Sequence, residues 1–316
     1  MSLTSSKHVF QKIHLEITNS CNLKCSFCPE VHREKSHISL EDFEKRISML
    51  AGKTKQVALH LMGEPLLHPH LPQLIEICKN YSVAVNLTSN GVLLRKQIYK
   101  SLLNPTVKQI NFSLHSFRVN FPNGNLITYL DRIFNFTEEA LQLRPELYIN
   151  YRLWNLQDAA KNLANEEDEL FSSVRERFNA QMPEELNLRK KKSFNLRGRL
   201  YINFDSEFIW PDLALPNLGS KGTCYGLNSH IGIHVDGAVV PCCLDKEGVL
   251  SLGNINTASL ESILASPRAE NMRQGFQLGE LREKLCQKCN FVRRFKRQKN
   301  LSVPQVKPGS PPESRL

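Results

Sequence analysis

Thr18-Asn19-Ser20-Cys21-Asn22-Leu23-Lys24-Cys25-Ser26-Phe27-Cys28-Pro29 sets three cysteines on one short loop with a C-x3-C-x2-C spacing. Thiolates this close can grip one compact cluster, and iron–sulfur cubes are held by cysteine thiolates, as a rule four of them. Three protein ligands leave one iron open for chemistry. The next cysteine, Cys78, makes a poor fourth ligand. Leu71, Leu74, Ile75 and Cys78 recur on one helical face, the pattern of a core thiol. A closed zinc set completed by His32 or His37 is the other chemistry open to such a loop.

Working outward, short apolar strands alternate with longer amphipathic helices. Strands are expected at Lys12–Thr18, Gln56–Met62, Val83–Leu87, Lys108–Leu114, Leu147–Leu153 and Arg199–Phe204. Helices are expected after Ser39, which reads as an N-cap, around Leu71–Asn80, over Tyr129–Leu143, and through the polar stretch Asp158–Phe178. This βα repetition implies a parallel sheet with helices outside. Six units in roughly 200 residues fit a partial barrel better than a closed eight-stranded one. After Ser206 the pattern changes: Trp210-Pro211 and Pro216-Asn217 mark a break, and Ile231–Cys243 reads as a hairpin turning at Val235–Ala238. A helix is expected over Leu260–Met272. The predicted organisation is a barrel over 1–205, a small metal-binding domain over 206–295, and a basic unfolded tail over 296–316.

The loop C-x3-C-x-Phe-C after an apolar strand resembles the radical S-adenosylmethionine (radical SAM) enzymes. The resemblance implies a (β/α)6 partial barrel and a [4Fe–4S] cluster on Cys21, Cys25 and Cys28. The open iron of that cluster is chelated by the amino and carboxylate groups of S-adenosylmethionine. It also implies roles at the strand ends. Met62-Gly63-Glu64-Pro65 is similar to the family's G-G-E-P segment, which makes Gly63 and Glu64 candidates for contact with the cofactor's amino group. Thr88-Ser89-Asn90-Gly91 resembles T-N-G and offers Ser89 to the ribose. Ser113-Leu114-His115-Ser116 resembles the S-L-D/H segment and offers Ser113 to the methionine part. Phe27 stands where the family has an aromatic beside the adenine. Where some relatives have an arginine beyond that serine, this chain has Gly124-Asn125-Leu126.

Cys224, Gly237 and Cys242 match the C-x(9–15)-G-x4-C opening of the family's SPASM/twitch extension, and Cys286-Gln287-Lys288-Cys289 supplies two more thiols. Four thiolates close a second [4Fe–4S] cluster. With no cysteine after Cys289, the shorter twitch form fits better than a two-cluster SPASM domain. Cys243 is left as a spare, and strand alternation would turn it away from Cys242. A zinc ribbon is the alternative for this set.

Composition sets the remaining bounds. The 316 residues are 41% hydrophobic and 23% charged, ordinary values for a globular protein. No apolar run approaches the roughly 20 residues of a membrane span. Met1–His8 lacks the apolar core of a secretory signal. Nine cysteines in tight groups read as metal ligands in a reducing compartment, so the cytoplasm is expected. The net charge of +10 is concentrated in Leu188–Arg199 and beyond Lys284, runs that read first as solvated surface and second as phosphate contacts.

The expected function is reductive cleavage of S-adenosylmethionine to a 5′-deoxyadenosyl radical. That radical takes hydrogen from a small-molecule or peptide substrate, assisted by the auxiliary cluster. Flavodoxin or ferredoxin is the expected electron donor. Arg152, Trp154, His115 and Tyr225 are candidate substrate-pocket walls. Two other readings are an RNA-modifying radical SAM methyltransferase, suggested by Met62-Gly63-Glu64-Pro65-Leu66-Leu67 and the basic runs, and a non-catalytic metal-binding or redox module.

Overall fold

The computed structural model describes residues 9–156, 160–162, 169–181, 185–187, 191–206 and 209–298. Its frame follows from two periodicities. Strands of period two send alternate side chains outward, and helices of period 3.6 cover that outward set. In β1 (Lys12–Leu15), Ile13 and Leu15 are fully buried, while Lys12 and His14 face the other way. The first helix, α1 (Leu40–Leu50), begins where expected. The Ser39 hydroxyl accepts the Asp42 N–H at 3.0 Å, and Phe43, Ile47 and Leu50 form the buried stripe. β2 (Gln56–Ala58), α2 (Leu71–Asn80), β3 (Ala84–Ser89), α3 (Lys96–Leu102) and β4 (Val107–Ser113) continue the alternation, followed by α4 (His115–Asn120), α5 (Leu126–Leu143) and β5 (Tyr148–Leu156). Cys78 is fully buried on α2, and burial pushes its thiol pKa up, as a core cysteine requires.

Between β5 and the sixth parallel strand lie β6 (Ala160–Asn162), α6 (Glu169–Phe178), β7 (Glu185–Asn187) and β8 (Ser193–Arg197). The single helix expected over Asp158–Phe178 is corrected here. Residues 160–162 pair antiparallel with β7, and the described helix covers Glu169–Phe178. Asn162 is a residue type that competes with helical backbone, and residues 157–159 and 163–168 lie outside the described residues. With β9 (Leu200–Ser206), the strands β1, β2, β3, β4, β5 and β9 run parallel in chain order, the expected partial barrel. β8 closes one edge antiparallel.

The other edge is built by the C-terminal part of the chain. β10 (His230–Ile233) pairs parallel with β1, Lys12 opposite His230 and Leu15 opposite Ile233. β11 (Ala238–Val240) returns antiparallel through a turn at Gly237, whose φ of +93° suits glycine, and β12 (Gly253–Asn254) follows. One sheet therefore runs through both parts of the molecule. The helix expected over Leu260–Met272 is two helices, α7 (Leu260–Leu264) and α8 (Pro267–Leu278). Pro267 has no N–H to continue the first, and the Ser266 hydroxyl caps the second at Ala269 N. Most of the expected basic tail, residues 299–316, lies outside the described residues, as does 188–190 of the other basic run.

The inward faces of the strands are polar. Asn203 donates to Asn150 at 2.8 Å, Asn150 to Asn111 at 3.0 Å, and Asn111 to Asn86 at 3.1 Å, a ladder of amides from β9 to β3. Polar groups removed from bulk water must be paired in this way. The ladder makes this face of the sheet polar rather than apolar.

Candidate active site and cysteine centres

The chain leaves the C-terminal end of β1 as the cysteine loop. Its root is fixed by side chains: the Thr18 hydroxyl donates to Ser36 O at 2.9 Å, and the Asn19 amide donates to Glu34 O at 2.7 Å. Cys28 N donates to Cys25 O at 3.0 Å, which curls the last turn. Asn120, at the end of α4, accepts from Lys24 N at 2.7 Å and donates to Cys25 Sγ at 3.1 Å. Hydrogen bonds from the Cys28 thiol and then from Asn120 hold Cys25 down to about 7. Cys28, as the donor in that pair and by its burial, is pushed up, and burial raises Cys21. All three thiols line one cavity of about 610 Å³ with Leu61, Met62, Gly63 and Trp210, a volume typical of cofactor sites.

The other candidate residues stand at the ends of neighbouring strands, and the structure gives each a definite place. Gly63 lines the cavity, but its closest neighbours belong to the loop root. A Cβ there would run into Thr18 O and stand 2.8 Å from Ser20 O, and its φ is +77°. Glu64 is buried, with its two oxygens accepting Leu66 N at 3.0 Å and Asn90 N at 2.7 Å. Burial raises its pKa and those two bonds pull it back. Ser89 is buried beside it and accepts Gly91 N at 2.9 Å. Ser113 is half-buried opposite Arg152. Phe27 packs on His115 with ring centroids 4.8 Å apart. His115 is half-buried. Its Nδ1 donates to Arg152 O at 2.9 Å, and burial lowers its pKa to about 4.

A second cavity, about 320 Å³, is lined by Cys224, Cys242, Cys243, Cys286 and Cys289 with apolar Leu250, Leu285, Phe291 and Val292. Burial raises the pKa of all five thiols, Cys224 and Cys243 to about 11. The alternation expected to turn Cys243 away needs a strand, and β11 ends at Val240. Cys242 and Cys243 sit in the bend that follows, so both reach the cavity. Cys243 also packs against the cluster of Val31, Leu61, Met62 and Val240.

The radical SAM superfamily model matches residues 15–142, and the SPASM iron–sulfur cluster-binding domain model matches residues 224–290. The chain carries a radical SAM domain followed by a C-terminal SPASM domain. Among curated relatives, the GTP 3′,8-cyclase of Chlorobaculum tepidum is 32% identical over 106 residues, 32% of each chain. A tungsten-containing aldehyde ferredoxin oxidoreductase cofactor-modifying protein of Pyrococcus furiosus is 29% identical over 107 residues, covering 32% of this chain and 30% of its own. These matches span about a third of the relatives' length. Solved structures resemble far more of the chain in fold. BtrN in complex with AdoMet and 2-DOIA has a TM-score of 0.55 at 15% identity, covering 90% of this chain and 94% of that one. Streptococcus suis SuiB bound to precursor peptide SuiA has 0.58 at 16%, covering 92% and 74%.

The two cavities suit the groups a radical SAM–SPASM protein carries: a [4Fe–4S] cluster with S-adenosylmethionine, and auxiliary iron–sulfur. The first presents three thiols, with Cys25 lowered by hydrogen bonds to its sulfur, beside open volume. The second presents five thiols between apolar Leu250, Leu285, Phe291 and Val292 on one side and Lys12, His14 and His230 on the other, and burial raises all five thiols, so a bound cationic group would favour their deprotonation. Among the described residues, no three His, Cys, Asp or Glu side chains are gathered tightly enough for a single metal ion. Thiolates on a cube bind different irons and stand wider apart than four on one zinc.

Sequence reading missed the residue that ties this radical SAM site together. Glu16 is fully buried at the end of β1. Its carboxylate accepts both Arg33 guanidinium nitrogens at 2.8 Å, Met62 N at 3.2 Å and Val235 N at 3.0 Å. Arg33 Nε in turn donates to Lys246 O at 2.7 Å. One ion pair thus joins the cysteine loop, the end of β2 and the SPASM domain. No motif signals it, since Glu16 and Arg33 are single charges in ordinary positions.

Proposed function

We propose that this protein is a radical SAM oxidoreductase that takes a hydrogen atom from a small-molecule or peptide substrate held in the barrel interior between its two cysteine sites. The observation that carries the reading is placement. The three-thiol loop leaves the end of β1, and the five-thiol cavity includes Lys12 and His14 of the same strand, so the polar interior lies between them. When bound, S-adenosylmethionine on a reduced [4Fe–4S] cluster supplies the radical. The chain's own part is to hold and shield. Cys21, Cys25 and Cys28 would ligate, with Asn120 steadying Cys25. Phe27 on His115 would wall the adenine side, and Glu64 and Ser89 would brace the turn after β3. Gly63, Glu64, Ser89 and Ser113 remain the candidates for cofactor contact. Structures sharing this fold hold a peptide in one case and a small molecule in another, so either substrate class is admissible. Flavodoxin or ferredoxin would deliver the electron.

At the second site we assign Cys224, Cys242, Cys286 and Cys289 as ligands. Cys243 is set apart by its packing in the apolar seam with Leu61 and Met62. The test is anaerobic reconstitution followed by reduction and assay for 5′-deoxyadenosine, with iron counted in parallel. Expected are about eight irons per chain, SAM cleavage, loss of four irons in Cys242→Ala and none in Cys243→Ala. A fully loaded, reduced protein that leaves S-adenosylmethionine intact overturns the enzymatic reading.

A further inference from the structure

Between the two cysteine sites the inner faces of β1, β2, β5 and β10 bring together an unusual set of side chains. Lys12 and His14 come from β1, His60 follows β2, Arg152 comes from β5 and His230 from β10. His14 is edge-on to His60 at 5.6 Å and to His230 at 6.3 Å between ring centroids. Arg152 is near enough to Lys12, His14 and His60 for its charge to act on all three. Its backbone carbonyl holds His115, which touches Phe27 beside Cys28. On the other side Lys12, His14 and His230 line the five-thiol cavity.

This group has positive charge, and among the described residues no carboxylate forms an ion pair with Lys12 or Arg152. Arg152 has one long hydrogen bond, to Thr88 Oγ1 at 3.3 Å, and stacks on Trp154 at 4.3 Å. The remaining guanidinium N–H groups have no protein acceptor among the described residues. The His60 Nδ1 is buried with no hydrogen-bond partner. Burial is the largest influence on Lys12, Arg152 and all three histidines, and it lowers each pKa, His14 to about 3 and Arg152 to about 10. Enclosing two cations without an anion is costly, and fixed donors converging on one space favour a charged ligand. The barrel interior thus calls for one further component, a negatively charged group.

Resting on the radical SAM reading above, we infer that Lys12 and Arg152, with a donor from His60, bind an anionic group of the substrate, a carboxylate or a phosphate, between the two cysteine sites. A competing role for Lys12 is to offset the charge of the auxiliary cluster, since it also faces Cys243. The two roles separate experimentally.

The cluster-loaded protein is titrated anaerobically by calorimetry with pyrophosphate and, separately, with succinate, at low ionic strength. Lys12→Met, Arg152→Met and the exposed control Lys108→Met are compared. We expect saturable binding of at least one probe. Lys12→Met and Arg152→Met should each weaken it by about tenfold or more, as loss of a charge-assisted contact implies, and Lys108→Met should leave it unchanged. Binding of pyrophosphate alone assigns a phosphorylated substrate, and binding of succinate alone assigns a carboxylate. Thermal melting guards against misfolding. Replacing an unpaired enclosed cation by methionine should hold or raise the melting temperature, and Lys12→Gln and Arg152→Gln provide a second pair.

The inference is overturned if neither probe binds, if affinity is the same in the variants, or if Lys12→Met alters only the auxiliary cluster's EPR spectrum. SAM cleavage by the wild-type protein without substrate is scored independently. Its absence rejects the radical reading, while the anion titration still decides whether Lys12 and Arg152 hold an anion.

Discussion

At the scale of single residues, one buried carboxylate and one half-buried histidine carry the sharpest expectations. Glu16 neutralises Arg33 and accepts two backbone N–H groups, so that its partners come from three different segments. Breaking a buried pair by removing one partner costs about 3–5 kcal/mol. Glu16→Gln keeps the shape but strands the guanidinium, so denaturant unfolding of the cluster-loaded protein should show a loss of about 3 kcal/mol. A loss below about 1 kcal/mol would mean that Arg33 finds another anion. His115 is kept neutral by burial, its pKa lowered from 6.5 to about 4. Above pH 6.5 this costs nothing. As pH falls from 6.5 towards 4, the unfolded chain takes up a proton that the folded chain refuses, so stability declines. Unfolding measured between about pH 7 and 5 should show His115→Gln to be less acid-sensitive, by up to about 1.4 kcal/mol per pH unit.

These residues also mark where sequence reading stops. Cys21, Cys25 and Cys28 were legible because three thiols in eight positions have few other uses. Lys12 and His14 were not. Lys12-Ile13-His14-Leu15 reads as a strand with one solvated face, and only closure of the sheet turns that face into an interior.

At the scale of elements, the junction between the cysteine loop and the turn after β2 is the tightest packing in the site. Gly63 sits at positive φ with the carbonyls of Thr18 and Ser20 against it, and Glu64 N donates to Ser20 O at 2.8 Å. Gly63→Ala would place a methyl group inside van der Waals contact of backbone that cannot retreat. The backbone conformation alone costs about 1–3 kcal/mol. We expect this variant to keep the auxiliary cluster and lose the first, read as iron falling by half, with the EPR response to added S-adenosylmethionine gone. Full loading would show that the loop can slide. The six parallel strands and the Ser39 cap could be read from the sequence because their signals are local. The break at Pro267 was also local and was overlooked. The true geometry of Cys242 and Cys243 was hidden because β11 stops at Val240, three residues short of the hairpin expected through Cys243, and the bend that follows brings both thiols to the cavity.

At the scale of the whole molecule, the C-terminal part is not an appendage. β10 is the outer neighbour of β1, and Val235 completes the Glu16 clamp. Parallel pairing across so long a separation leaves no trace in local pattern, which is why the sequence suggested two units side by side and the structure has one continuous sheet. A chain ending after β9 would expose the β1 edge, and unpaired edges recruit other strands. Such a fragment, residues 1–206, should elute from size exclusion as dimers or larger species. A well-behaved monomer would mean that β1 does not need its partner.

The same pairing sets a timetable. Val235 follows Glu16 by 219 residues, so at about 5–20 residues per second a ribosome needs roughly 10–40 s to deliver the far side of the clamp. Throughout that interval the nascent cysteine loop is complete in sequence, while Arg33 has a carboxylate that lacks its last backbone donor and β1 has a bare flank. The auxiliary set is complete only once Cys289 has emerged. Whatever delivers iron to this protein can therefore meet the first centre long before the second is complete in sequence.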